Sequence, residues 1–106
     1  MEIEWMGQIE KVESVCSLIE NEQEYMGELT EYLPVLNETI QYLLTCSRNP
    51  DIPLMIDGQF VLQLLKDILY GMEQQDSVFL LDALRYGLLE LYSYSRDNLQ
   101  CGGNNE

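Results

Sequence analysis

The chain has 106 residues, 46% of them hydrophobic, which is long enough for one domain with a modest core. Nineteen acidic against five basic residues give a formal net charge of −14, which disfavours binding to nucleic acid phosphates or to an anionic membrane surface. Histidine is absent, so the commonest general base and nitrogen ligand for metals is missing. We therefore predict no enzyme, no metal site and no cofactor.

The beginning of the chain, MEIEWMGQIEK, lacks the basic and apolar segments of a signal peptide. No apolar run approaches the ~20 residues that cross a bilayer. Cys16, Cys46 and Cys101 are far apart, odd in number and without a CxxC pair. We expect a cytoplasmic protein that needs no disulfide and that uses Cys16 and Cys46 as small core residues.

Two amphipathic helices are predicted in the first half of the chain. Apolar residues recur at helical spacing from Trp5 to Leu44, and the polar segment IENEQEY interrupts them. This pattern predicts helix 1 over about 2–20 and helix 2 over about 23–46, with Asn21 and Glu24 forming a capping pair before helix 2. Pro34 lacks a backbone donor and crowds the preceding turn, so helix 2 is expected to kink there.

A loop and two further helices are predicted in the second half. Pro50 and Pro53 disfavour helix in SRNPDIPLMIDG, which is therefore predicted to be a loop. Asp57 is predicted to cap helix 3, which runs to about residue 75. Asp76 or Ser77 is predicted to cap helix 4 after a tight turn.

These elements predict an all-α fold, a four-helix bundle built from two helical hairpins. One domain is expected over 1–98, followed by a disordered tail over 99–106, because DNLQCGGNNE has no helical period. The predicted core residues lie on the apolar stripes of the helices: Ile9, Cys16, Met26, Leu33, Leu36, Ile40, Leu65, Ile68, Leu81, Leu84 and Leu88.

Helix 4, DSVFLLDALRYGLLELYSY, is apolar around most of its circumference. An ordinary bundle helix buries about three positions in seven, so helix 4 is expected to keep an uncovered apolar face. Gly87 lies in register with Leu80 and Leu91 and permits a close backbone approach; a glycine tolerated at a cost of ~1 kcal/mol is the alternative. Asp82 and Arg85 lie three positions apart and are expected to form a supporting ion pair.

These features favour a non-enzymatic protein-interaction module, adaptor or export-chaperone-like, that binds a partner helix or itself through helices 3 and 4. A twofold homodimer is the first guess, since such dimers are the commonest oligomers. The alternative is an acidic inhibitor or nucleic-acid mimic that binds a basic cleft through helices 1 and 2, because residues 1–46 hold ten acids and one base. The candidate interface residues are Phe79, Leu80, Tyr86, Gly87, Leu91, Tyr92 and Tyr94.

The segment LLKDILYGMEQQDSVFLLDALRYGLLELY resembles the second half of a family of small uncharacterised helical proteins of clostridia and bacilli. The family pattern has Glu-x-x-Asp at the end of one helix and Asp-x-Leu-x-Tyr in the next, matched here by Glu73, Asp76, Asp82, Leu84 and Tyr86. The match covers about a third of the chain and departs at Gly87, where the family favours an acidic residue. The resemblance implies a helical bacterial protein and no particular chemistry.

Overall fold

The computed structural model describes residues 3–49 and 56–100, and every regular element within those ranges is helical. The all-α prediction is therefore confirmed there. The four helices are α1, Trp5–Glu20; α2, Met26–Ser47; α3, Gly58–Gln74; and α4, the uninterrupted helical stretch 77–100. Most of the predicted loop after α2, residues 50–55, lies outside the described residues.

The connection between α1 and α2 differs from the predicted capping pair. Asn21 ends α1, because its side-chain amide donates to the carbonyl oxygen of Ser17 at 3.0 Å. Glu22 then adopts a left-handed backbone conformation with φ of 56°. Glu24 accepts a hydrogen bond from the backbone N–H of Met26 at 3.1 Å. The prediction that Asn21 caps α2 is wrong, because the chain turns at Glu22 before α2 begins.

The predicted caps of α3 and α4 are confirmed. The Asp57 carboxylate accepts from the backbone N–H of Gln59 at 2.9 Å, and Asp76 accepts from that of Phe79 at 3.1 Å. Between the two helices, Gln75 adopts the left-handed conformation with φ of 53°. These bonds satisfy backbone donors that a helix N-terminus otherwise leaves unpaired. The two helices therefore form a tightly turned hairpin.

Helix α4 departs from regular α-helical geometry in two places. It begins as the α-helix Ser77–Asp82, continues as the π-helical segment Ala83–Leu88, returns to α-helix over Leu89–Ser95 and ends as the π-helical segment Arg96–Gln100. The backbone N–H of Leu89 bonds to the carbonyl oxygen of Leu84, five residues earlier. Such short π-helical insertions are rare and occur frequently at functional sites.

The end of α4 lies beyond the predicted domain end at residue 98. The segment DNLQ was predicted to be frayed, but it forms the last turn of α4. Residues 101–106 of the predicted tail, which include Cys101, lie outside the described residues. Cys16 and Cys46 are buried in the core, as predicted, and burial raises the pKa of the Cys16 thiol.

The core lies where α4 packs against α1 and α3, and where α2 packs against α3. Seven predicted core residues are buried: Ile9, Cys16, Leu36, Ile40, Ile68, Leu84 and Leu88. The other four, Met26, Leu33, Leu65 and Leu81, are only half-buried, and the last three of them pack against the core. Leu64 and Leu80 are buried in place of Leu65 and Leu81, because one position along a helix rotates a side chain by about 100°.

Two buried tyrosines join α2 to α4. The hydroxyls of Tyr32 and Tyr92 are 2.8 Å apart, and Tyr32 also donates to the side-chain oxygen of Gln8 on α1. The Trp5 ring packs on Tyr92 with 5.5 Å between ring centroids. Burial raises the pKa of Tyr32 to about 12 and raises that of Tyr92 further. The two phenols are therefore held neutral at the meeting point of three helices.

Candidate interaction surface

Two glycines lie at the contact between α3 and α4. A Cβ atom placed on Gly71 would lie 2.8 Å from Cγ of Leu80, and one placed on Gly87 would lie 2.5 Å from Cδ1 of Leu64. Both leucines are buried. The close approach expected at Gly87 therefore occurs, and the neighbour that fills it is α3 of the same chain.

The structure encloses part of the predicted interface. Of its seven residues, Leu80, Leu91 and Tyr92 are buried; Phe79, Gly87 and Tyr94 are half-buried; and Tyr86, at 67% exposure, is open to solvent. The expected uncovered face is much reduced because α1 and α3 both contact α4. In this conformation Leu80 and Tyr92, which are fully buried, are unavailable to a partner.

Exposed apolar side chains remain on the outside of α3 and α4. Six of the eight large hydrophobic side chains that are exposed in the described ranges belong to these two helices: Phe60, Leu62, Leu69, Tyr70, Val78 and Tyr86. Met6 and Val35 are the other two. The predicted interface did not include these α3 residues. The sequence feature that could have identified them is that α3 carries apolar residues on more than one of its faces.

Aromatic residues follow the line where α3 and α4 meet. The rings of Tyr70 and Phe79 pack edge to face with 5.6 Å between centroids. Phe60, Tyr86 and Tyr94 line one cavity farther along the same contact. We call these five aromatic residues the seam patch. Aromatic side chains of this kind are enriched at the centres of protein interfaces.

The cavity within the seam patch, here the seam cavity, has a volume of about 240 Å³. Its lining is apolar and aromatic with two carboxylates: Ile56, Asp57, Phe60, Tyr86, Gly87, Glu90, Leu91 and Tyr94. Tyr86 and Gly87 belong to the first π-helical segment of α4. The irregular turn of the helix thus coincides with the cavity.

The ion pair predicted within α4 does not form. Arg85 pairs with Glu20 of α1 instead of Asp82, because the fold brings an exposed carboxylate of another helix to the guanidinium. The hydrogen bond from Arg85 lowers the pKa of Glu20, and the same bond raises the pKa of Arg85. Lys11 similarly reaches Glu28 of α2 at 2.5 Å. Both pairs join different helices at the surface.

The acidic residues of the first two helices face solvent. Every acidic residue described between residues 3 and 49 is exposed: Glu4, Glu10, Glu13, Glu20, Glu22, Glu24, Glu28, Glu31 and Glu38. Within the described part of the chain, no three acidic or cysteine side chains are grouped so that they could hold a metal ion. This surface, here the acidic face, is distinct from the seam patch.

Comparison with protein-family models, with curated proteins and with solved structures gives no match. The family resemblance in the second half of the chain therefore stays a prediction. None of the helices in the described ranges is long and apolar enough to cross a bilayer.

Proposed function

We propose that this protein is a non-enzymatic interaction module, adaptor or export-chaperone-like, that acts in the cytoplasm and binds a partner protein through the seam patch. The observation that carries the proposal is the concentration of exposed large apolar side chains on α3 and α4. Contiguous apolar surface rimmed by polar residues is typical of sites of protein association. An amphipathic helix of the partner suits a groove of this type.

A foreign partner suits the surface better than a second copy of the chain. Two copies would bring together a formal charge of −28, twice −14. The seam cavity itself carries Asp57 and Glu90, so a symmetric contact there would place like charges near one another. Screening at physiological salt acts beyond ~8 Å and leaves close repulsion largely intact. The twofold homodimer is therefore the secondary form of the proposal.

Affinity capture with a patch variant and a matched control tests the proposal. Phe60→Ser with Tyr86→Ser removes two exposed rings of the seam patch, whereas Met6→Ser with Val35→Ser removes two exposed apolar side chains elsewhere. Quantitative mass spectrometry should find proteins captured by the wild type and the control pair but lost from the patch variant. Light scattering on the same proteins reports self-association. Equal capture by all three, together with a monomer in each, would contradict a role for the patch.

The second candidate function is that of an acidic inhibitor or nucleic-acid mimic bound in a basic cleft, and the exposed acidic face favours it. Binding through this face should weaken steeply as salt rises, because surface charges are screened. Replacing Glu10, Glu13, Glu31 and Glu38 by glutamine should then abolish capture. Capture that tolerates both salt and these substitutions would argue for the seam patch.

For the architecture, we propose a four-helix bundle of two hairpins in which α2 bends at Pro34. The helix pairings α1–α4, α3–α4 and α2–α3 support the bundle. Pro34 lies inside the continuous helix α2, where it cannot donate the usual backbone hydrogen bond. Residual dipolar couplings would measure the angle between the two halves of α2; collinear halves would contradict the bend.

A further inference from the structure

We propose that the seam cavity binds the side chain of an arginine carried by a basic amphipathic helix. This inference rests on the proposed function and names the partner chemistry of that surface. Three aromatic residues, Phe60, Tyr86 and Tyr94, surround a cavity that also holds the carboxylates of Asp57 and Glu90. Aromatic faces and carboxylates together attract an organic cation.

The size of the cavity selects one side chain over a larger ligand. Pockets for drug-sized molecules and cofactors usually have volumes of ~300–1,000 Å³, whereas the seam cavity has about 240 Å³. Ile56 and Leu91 give it apolar walls that suit the aliphatic stem of a long basic residue. The charged head can then pair with Asp57 and Glu90, which line the same cavity.

Charge complementarity argues for a cation over an uncharged apolar anchor. The cavity has two acidic residues and no basic residue in its lining. The Asp57 carboxylate already accepts from the backbone N–H of Gln59, but a carboxylate has about four acceptor positions and retains others. The N-terminal end of α3 opposes a cation weakly, and the two full negative charges outweigh that partial positive charge.

Arginine fits this arrangement better than lysine. A guanidinium group stacks on aromatic rings and donates in a planar fork that matches a carboxylate, whereas an ammonium group is a compact and strongly hydrated charge. The π-helical turn that carries Tyr86 and Gly87 places the most exposed ring of the patch at the cavity. The absence of a side chain on Gly87 leaves room for Leu64 beneath it.

The probe is an alanine-based helical peptide of about 16 residues, long enough to form an isolated helix. It carries one arginine between two leucines on the same face. Matched peptides replace the arginine by citrulline, which has a similar shape without the charge, or by norleucine, which is apolar. Each is titrated into isotope-labelled full-length protein, and the amide resonances of residues 56–60 and 86–94 are followed by nuclear magnetic resonance.

The arginine peptide should shift those amides and bind about tenfold or more tightly than the citrulline and norleucine peptides. Glu90→Gln and Tyr86→Leu should each weaken it about three- to tenfold, while Glu38→Gln on the acidic face should not. Equal binding of the norleucine peptide would overturn the proposal in favour of an apolar anchor. Shifts confined to α1 and α2, or no binding at all, would also overturn it.

The failure of this inference can be distinguished from failure of the proposed function. Loss of partner capture on removal of the two seam-patch rings depends on no particular peptide side chain. If capture is lost in that variant while citrulline binds as well as arginine, the surface is an interaction site that does not select a cation. If capture is unaffected, the proposed role of the seam patch in partner binding is wrong.

Discussion

Helix α4 is held in different ways on its two sides. Against α3, the close contacts depend on the missing side chains of Gly71 and Gly87, which receive leucines. Against α1 and α2, Tyr92 contacts the Trp5 ring and shares a hydrogen bond with Tyr32. The first contact depends on volume and the second on hydrogen bonding and protonation. One helix should therefore respond to added volume on one side and to pH on the other.

The largest effect is expected where both sides share the core. Leu84 is only 1% exposed, and truncation to alanine leaves a cavity. Leu84→Ala should lower the free energy of unfolding by ~2–5 kcal/mol in urea titration. Val78→Ala, at a position with 71% exposure, is the control and should change it by less than ~0.5 kcal/mol. Comparable losses in the two variants would contradict the assignment of Leu84 to the core.

The volume-dependent side is tested by adding one methyl group. Gly71→Ala brings a Cβ atom against Leu80, so we expect a loss of ~1–3 kcal/mol despite the higher helix propensity of alanine. Gly27→Ala in α2 is the matched control, since no atom beyond its chain neighbours and its own helix backbone lies within 4 Å of its added Cβ. The free energy of unfolding of that variant should rise by up to ~1 kcal/mol. Stabilisation by both substitutions would show that the α3–α4 contact is looser than described.

The protonation-dependent side is tested at high pH. The pKa of Tyr32 is raised to about 12 and that of Tyr92 is raised further, both by burial, so the folded state holds protons that the unfolded state releases above pH ~10. Stability is complete below that pH and falls as pH rises. Between pH 10 and 11 the free energy of unfolding should fall by on the order of 1 kcal/mol for each of the two tyrosines.

Tyrosinate absorbance and circular dichroism, recorded together during an alkaline titration, check this prediction. Two tyrosines should ionise only as the helices unfold. Complete ionisation of all seven tyrosines before any loss of helix would contradict the buried hydroxyl pair.

The smallest effect is expected at the exposed pair between Glu20 and Arg85. Glu20→Gln removes the charge on α1, but exposed pairs contribute little because water and salt screen them. The unfolding midpoint should fall slightly at low salt and not at high salt. The lowered pKa of Glu20 means that this contribution is lost as pH falls through the folded-state pKa. Asp82→Asn is the control. A larger fall in the unfolding midpoint of this variant than of Glu20→Gln would support the Asp82–Arg85 pair predicted from the sequence.

The local features of the fold were predictable from the sequence. Helical periodicity indicated the helices, and the short polar side chains of Asp57 and Asp76 indicated two of their beginnings. The face of each helix that packs against the core was predicted less accurately. Leu65 was predicted to be a core residue, but Leu64 is buried instead. Both positions continue an apolar stripe, and only the packing of the neighbouring helix decides which of them faces inward.

The candidate site was less predictable because it depends on tertiary packing. Tyr86 was predicted and is exposed, whereas Phe60 was not predicted, since its exposure depends on how much of α3 the other helices cover. The π-helical segment adds a residue to one turn, and no residue pattern in DALRYGL predicts it. Arg85 forms an ion pair with Glu20 of α1, and the spacing of residues within α4 cannot predict a partner on another helix.

The glycine contact at Gly71 has a consequence for the order in which the chain folds. Gly71 and Leu80 are nine positions apart, whereas Tyr32 and Tyr92 are sixty apart. Closing the longer loop costs about 2 kcal/mol more in chain entropy. The α3–α4 hairpin should therefore form in the folding transition state, with the tyrosine pair closing later. Leu80→Ala should slow folding, while Tyr92→Phe should mainly speed unfolding in stopped-flow kinetics; the opposite result would reverse the order.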